Sequence, residues 1–419
     1  MTSRRLLHLT PFFFSASVLI ATCALLAGPA SAANPRAVEL VRVHAPGPTL
    51  AAELARDPAI DVAGYSPGRL LDLIVTADQL RGLLGRFAGY RTSVLTAQVE
   101  AEIARRERER GLGRYHSYDE IVAQLSTFAT QYAAIAQLSI IGESVEGRDI
   151  YVLKISDNAA SDEPTEANVL IDGLHHAREL IAAEVPLYIA EQLLSGYAQD
   201  ARITNIVNTR QIWVAPVVNP DGYIYAQTQD SWWRKNRKGN YDGSRGVDLN
   251  RNYDGAQSGD PAGDWGGEGS SHVPWTETYC GTEAFSEPES QAVRDLLKSH
   301  PMSGYLTYHS YGELVLWPWG YTAGPTPDDA RYKAVGTELA RRIPSLSGGT
   351  YEPLQGYDLY PTTGTSDDWG YGGAGALSFT IELGQEFAPS ATKIDQICAD
   401  NLDAALYLAE VATSTVAMK

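Results

Sequence analysis

Apolar residues along this chain recur with two different spacings, and their alternation is the first structural signal. From Ala33 to about Arg114, short apolar runs at Val38 to Val43 and Leu70 to Val75 alternate with a helical pattern at Ala77 to Phe87, which predicts a small α+β unit. That unit closes in a charged stretch, Ala101 to Arg110, holding Arg105, Arg106, Arg108 and Arg110, with Gly111 and Gly113 behind it. Such a stretch reads as a solvated helix running into a turn, and equally as an exposed basic linker open to proteolytic nicking. Beyond Tyr115 the pattern becomes alternating helix and strand. An amphipathic helix is expected at Ser117 to Ala134. Strands are expected at Tyr151 to Ile155, Val169 to Asp172, Ile212 to Val218, Tyr305 to Tyr308 and Leu377 to Ile381. Further helices fall near Ala182 to Leu194, Glu287 to Ser299 and Asp328 to Arg341. Strands that are apolar throughout and separated by helices indicate an α/β domain of about 300 residues, with a mixed, mostly parallel sheet covered on both faces. The Gly-rich segment Gly239 to Gly281 reads as a long surface excursion, a kind of loop that is often functional.

Composition adds limits rather than a fold. With 51 acidic against 33 basic residues among 419, the formal net charge is -18, which argues against nucleic-acid binding and favours cationic ligands by steering. The N-terminus carries Arg4 and Arg5, an apolar run from Phe12 to Leu26, and the small triplet Ala30-Ser31-Ala32. Those are the three parts of a secretory signal peptide, with cleavage expected after Ala32. Export by the Sec or the twin-arginine route is compatible with Ser3-Arg4-Arg5-Leu6-Leu7. No other stretch is apolar enough to span a bilayer, so no membrane association is expected after signal removal. Cys23 leaves with the signal, and the remaining Cys280 and Cys398 can pair as one disulfide or stay as two buried thiols.

The candidate chemistry follows the expected strand Val169 to Asp172. There Gly173-Leu174-His175-His176-Ala177-Arg178-Glu179 is read as opening the next helix. His176 and Glu179 are three apart, so at a helix start an imidazole and a carboxylate converge on one metal, and both are usual zinc donors. His175, four residues before Glu179, competes for the same role. A catalytic zinc takes three protein ligands and leaves a position for water. The third candidate is His309, at the end of the strand Tyr305 to Tyr308, because ligands collect at the carboxyl ends of strands in α/β sheets.

With these residues in view, the chain resembles the zinc carboxypeptidase family typified by pancreatic carboxypeptidases A and B. The resemblance runs from Tyr115 to about Ala388 through motifs that recur in order. Tyr115-His116-Ser117-Tyr118-Asp119-Glu120 is similar to the start of the mature enzymes, and Gly147 to Lys154 to their early strand. His176-Ala177-Arg178-Glu179 matches the family's metal motif, with Arg178 in the substrate groove; Leu180 stands where a Trp or another large residue is usual. Asn219-Pro220-Asp221-Gly222-Tyr223 and Trp233-Arg234-Lys235 follow, then Gly246-Val247-Asp248-Leu249-Asn250-Arg251-Asn252, Leu359-Tyr360-Pro361 and Phe379-Thr380-Ile381-Glu382-Leu383.

The resemblance implies one zinc ion per chain held by His176, Glu179 and His309, and Glu382 as the catalytic carboxylate. It implies Arg234 at the scissile carbonyl, Asn250, Arg251 and Tyr360 on the substrate's terminal carboxylate, and Asp248 behind His176. A guanidinium fork suits a carboxylate bidentately, which makes the role of Arg251 physically sensible. Asp367 occupies the position that is acidic in the B-type enzymes, implying release of C-terminal Lys or Arg, and Gly320 leaves room that also admits apolar residues. The implied organisation is a signal peptide at 1–32, a propeptide at 33–112 and a catalytic domain at 113–419. The expected product is a secreted, monomeric proenzyme that acts on peptide or protein C-termini after an activating protease has cut it. Two other readings of the same residues are a zinc amidase acting on cell-wall peptides and a non-catalytic relative that binds C-termini.

Overall fold

The computed structural model describes residues 38–57, 59–97, 115–254, 265–386 and 389–413. The expected signal peptide, the basic linker and the boundary at 112/113 lie outside the described residues. Among those residues no helix is long and apolar enough to cross a membrane.

Two sheets organise this part of the chain. The first is antiparallel, ordered β2-β3-β1-β4 from β1 (Val38–His44), β2 (Asp61–Ser66), β3 (Leu70–Thr76) and β4 (Arg91–Val94). Successive side chains of a strand point to opposite faces, and both faces here are used. Val41, Val43, Leu71 and Leu73 pack with Leu54 and Leu83 from the helices Pro48–Ala55 and Ala77–Leu83. The alternate residues Leu40, Ala63 and Ile74 pack with Tyr311, more than two hundred residues along the chain. Helix Ala77–Leu83 starts where it does because Thr76 and Gln79 form a reciprocal capping box, which satisfies two N–H groups that a helix start leaves open.

The second sheet has eight strands: β5 (Ala136–Glu143), β6 (Asp149–Ile155), β7 (Ala167–Gly173), β8 (Arg210–Ala215), β9 (Met302–His309), β10 (Leu314–Trp317), β11 (Glu352–Gln355) and β12 (Leu377–Glu382). Their order is β11-β10-β12-β9-β7-β8-β6-β5. The central run β12-β9-β7-β8 is parallel, β6 and β5 add antiparallel on one side, and β10 returns antiparallel beside β12. All of β9 is buried, as a strand covered on both faces must be. Helices Ile181–Gly196, Asp329–Arg342 and Ala391–Val411 supply one covering layer; Pro288–Ser299 and Trp369 of Ser366–Gly372 supply the other. The architecture is the mixed, mostly parallel α/β sheet expected from the apolar runs, preceded by a small α+β unit.

Register is what places the site. Gly173 of β7 is level with Tyr308 of β9, and His309 of β9 is level with Glu382 of β12. The carboxyl ends of three neighbouring parallel strands therefore stop side by side, where a doubly covered sheet opens a crevice. Cys280 and Cys398 are both buried and free, so of the two alternatives for them the structure holds separate thiols.

Candidate metal centre and cleft

His176 and Glu179 do not lie on a helix, contrary to the expectation from their spacing. The next helix begins only at Ile181. Leu174 instead turns the chain out of β7 in the left-handed region, at φ 60, a conformation that costs a non-glycine residue roughly 1–2 kcal/mol and is held here by complete burial. The following tight turn, closed by Glu179 N donating to His176 O at 3.2 Å, brings the two side chains to one point. Glu179 Oε1 lies 2.8 Å from His176 Nδ1, Glu179 Oε2 lies 3.0 Å from His309 Nδ1, and the two Nδ1 atoms are 3.1 Å apart. His175 is excluded from the set: its Nε2 meets Tyr253 Oη at 2.8 Å.

This donor set fits a metal ion. His176 Nε2 faces Asp248 Oδ1 at 3.1 Å, which places the ring proton there and turns the lone pair of Nδ1 towards a carboxylate oxygen. Acceptor facing acceptor, with a second imidazole beside them, is the arrangement a cation resolves. Tetrahedral donors about 2.0–2.1 Å from zinc would stand about 3.3 Å from one another, close to the spacings seen. Burial alone would raise Glu179, but the two imidazoles hold its carboxyl below the usual carboxylate range. Burial lowers His309, keeping it neutral and able to ligate. A second carboxylate group, Asp157, Glu163 and Glu166, is exposed or only partly buried and has no histidine.

Asp248 is completely buried and ties the centre to Arg234, accepting from Arg234 Nε at 3.1 Å and Nη2 at 2.9 Å. Burial works against its charge, yet Arg234 and then His176 keep it well below the ordinary range. Arg234 Nη1 reaches to 3.9 Å from Glu179 Oε1. Asn250 is fixed by accepting from Ser366 N at 2.8 Å. Arg251 donates from Nε to Gly269 O and from Nη1 to Asn250 O, which leaves Nη2 without a partner among the described residues. Glu382, at the end of β12, is pushed up to about 8, by burial and then by the charge of Glu179.

One cavity joins these groups. His176, Glu179, His309, Arg234, Asn250, Arg251, Tyr360, Asp367, Gly320 and Glu382 all line it. Arg178 stands outside that lining, bonded through both terminal nitrogens to Asp61 of β2 at 2.5 and 2.7 Å. Asp367 is 7% exposed, and neither of its carboxylate oxygens has a hydrogen-bond partner among the described residues. The cavity measures about 60 Å³, and Val62, Ala63, Gly64 and Tyr65 of β2 form part of its wall; a space that size holds a few waters.

Sequence reasoning overlooked Thr362, Thr365 and Thr380, which line the cavity, and Asp61, which caps Arg178. The threonines had no signal beyond adjacency to Tyr360, Asp367 and Glu382. Asp61 had none, because its role depends on packing between two sheets.

The sequence model described as zinc carboxypeptidase matches residues 121–404. Carboxypeptidase B of Astacus astacus is 37% identical over 275 residues, covering 64% of this chain and 86% of that protein. Carboxypeptidase A4 of Mus musculus is 34% identical over 275 residues, 65% of this chain and 63% of the relative's length. Among solved structures, carboxypeptidase A from Helicoverpa armigera superposes with a TM-score of 0.78 at 25% identity, covering 91% of this chain and 98% of that one.

Proposed function

The chain belongs to the zinc carboxypeptidase family, and from that membership we propose that it hydrolyses the last peptide bond of peptide and protein C-termini, preferring C-terminal Lys or Arg. The observation that carries this reading is a single cavity: a three-donor metal set and Glu382 at one side, a free guanidinium nitrogen of Arg251 beside them, and the unpaired carboxylate of Asp367 in the wall.

His176, Glu179 and His309 would hold zinc, which when bound supplies Lewis-acid chemistry, polarising a carbonyl and acidifying a water. Glu382, in the same cavity as the donor set, takes the proton of the attacking water and returns it to the leaving amine. Arg234 faces the developing oxyanion and stabilises it, its orientation preset by Asp248. Arg251 Nη2, with Asn250 and Tyr360, receives the free carboxylate of the substrate, which restricts cleavage to the last residue. Asp367 then meets a cationic side chain, exchanging a buried lone carboxylate for an ion pair.

The α+β unit is read as a propeptide. With β2 in the wall the cavity is too small for an amino-acid residue, and Arg178, outside that lining, is held by Asp61 of the same strand. Secretion through the N-terminal signal completes the reading. Matched peptides ending in Arg, Lys, Phe and Leu test the specificity. Arg and Lys should be released fastest, and Asp367→Ala should abolish that preference; an unchanged preference would sink the assignment.

A further inference from the structure

Arg234 and Asp248 meet although neither segment 234–236 nor segment 246–248 belongs to a helix or a strand. Asn236, completely buried, joins the two. Its backbone N donates to Val247 O at 3.0 Å, and its Oδ1 accepts from Val247 N at 2.8 Å and from Lys238 N at 3.2 Å. Its Nδ2 donates to Glu287 Oε2 at 2.8 Å and to Glu289 Oε2 at 3.1 Å. A side-chain amide offers two N–H groups and an oxygen with two lone pairs, and all four positions are engaged here. Glu287 and Glu289 are buried at the start of helix Pro288–Ser299, where a carboxylate is favoured. Asn236 is thereby tied to a fixed element of a covering layer. The same segment also touches the metal turn, since Arg234 O accepts from Ala177 N at 2.9 Å, one residue after His176.

We propose that Asn236 is a positioning residue for the hydrolysis, holding the segment of Arg234 against the segment of Asp248 so that the guanidinium stands ready at the cavity. The inference rests on the reading of Arg234 as the group that stabilises the oxyanion. Asn236 does not line the cavity, whereas Arg234 does, so Asn236 acts through Arg234 and its partner Asp248. A donor contributes most to a transition state when it is in place beforehand and does not reorganise during the reaction. Two segments without regular structure supply no such restraint by themselves, and the amide of Asn236 supplies it. Its chemistry is specific. An Asp there would turn a third carboxylate on Glu287 and Glu289, and a Leu would leave the N–H of Val247 without its acceptor and both carboxylates without this donor, each a cost for a buried polar group.

The test is a double-mutant cycle on the full chain after limited tryptic digestion, with kcat and KM measured on one arginine-ending peptide. Asn236→Asp keeps the acceptor for Val247 N and removes the donor to Glu287 and Glu289. Its kcat is expected to fall about tenfold, a part of the 10²- to 10³-fold that losing an oxyanion donor typically costs. KM should stay near wild type, because Asn250 and Arg251 are held separately by Ser366 N and Gly269 O. In an Arg234→Ala background the same substitution should have little further effect on kcat, since residues that act as one unit are not additive. Adding Glu289→Gln to Asn236→Asp returns an N–H donor facing the new carboxylate and should restore part of the lost kcat. Asn236→Ala, which adds no charge, carries the same cycle if Asn236→Asp does not fold. An unchanged kcat, or a full tenfold loss that persists without Arg234, would overturn the inference. Arg234→Ala separates the two levels: if it leaves kcat intact, the underlying reading of Arg234 fails; if it lowers kcat while the Asn236 variants do not, only this inference fails.

Discussion

Asp248 Oδ1 lies 3.1 Å from His176 Nε2, on the side of the ring away from the metal donors, while Asp248 Oδ2 takes two N–H bonds from Arg234. One buried carboxylate therefore sets a ligand's tautomer and aims the guanidinium expected at the oxyanion. Asp248→Asn should weaken zinc binding about 10- to 100-fold, read by chelator competition. It also leaves Arg234 buried without its counter-charge, at a cost of about 3–5 kcal/mol, read by denaturant unfolding. Wild-type zinc affinity in this variant would detach Asp248 from the centre.

The N-terminal unit is fitted to the cleft at Gly64. A Cβ on Gly64 would lie 2.5 Å from the ring of Tyr311, whose hydroxyl bonds to Asp72, itself paired with Arg42. Gly64→Ala should push β2 off this surface, a strain of about 1–3 kcal/mol. The expected outcome is measurable peptidase activity in the undigested chain, with little expected from wild type. Equal latency of the two proteins would contradict the role given to β2.

Asp172 is completely buried and accepts from Tyr305 Oη at 2.9 Å; burial raises its carboxyl from 3.8 to about 7. Between those values the folded chain binds a proton that the unfolded chain has lost, so this group's contribution to stability falls as pH rises and levels off above about 7. Asp172→Asn keeps an acceptor for Tyr305 and removes the titration. Its stability relative to wild type should increase from pH 4 to pH 7 by a few kcal/mol, read from urea midpoints. Parallel curves for the two proteins would show that Asp172 does not titrate in this way.

Much of the framework was legible in the pattern of apolar residues. Val169 to Asp172 became β7 (Ala167–Gly173), Tyr305 to Tyr308 became β9, and Leu377 to Ile381 became β12, because strands buried on both faces read as near-continuous apolar runs. β5 escaped notice because it lies at the sheet edge with mixed burial, and β10 because four residues carry little periodicity. Helix Ala391–Val411 was missed although it packs on the core. At the site, spacing found His176 and Glu179 but gave the wrong local geometry, since a turn and a helix both bring residues three apart together. The joining of His309 with Glu382 is a matter of strand register, which no local pattern encodes. The capping of Arg178 by Asp61, 117 residues away in sequence, is likewise tertiary.

The proposed function stands on His176, Glu179 and His309 holding the metal for a C-terminal exopeptidase whose proton carrier is Glu382. C-terminal ladder mass spectrometry on an arginine-ending peptide, with zinc measured on the same digested protein, tests it most directly. Wild type with one zinc per chain should shorten the peptide from its C-terminus, and Glu382→Gln should keep its zinc while slowing release at least about 10²- to 10⁴-fold. A zinc-loaded wild type that leaves the peptide intact, or cuts it internally, would contradict the claim.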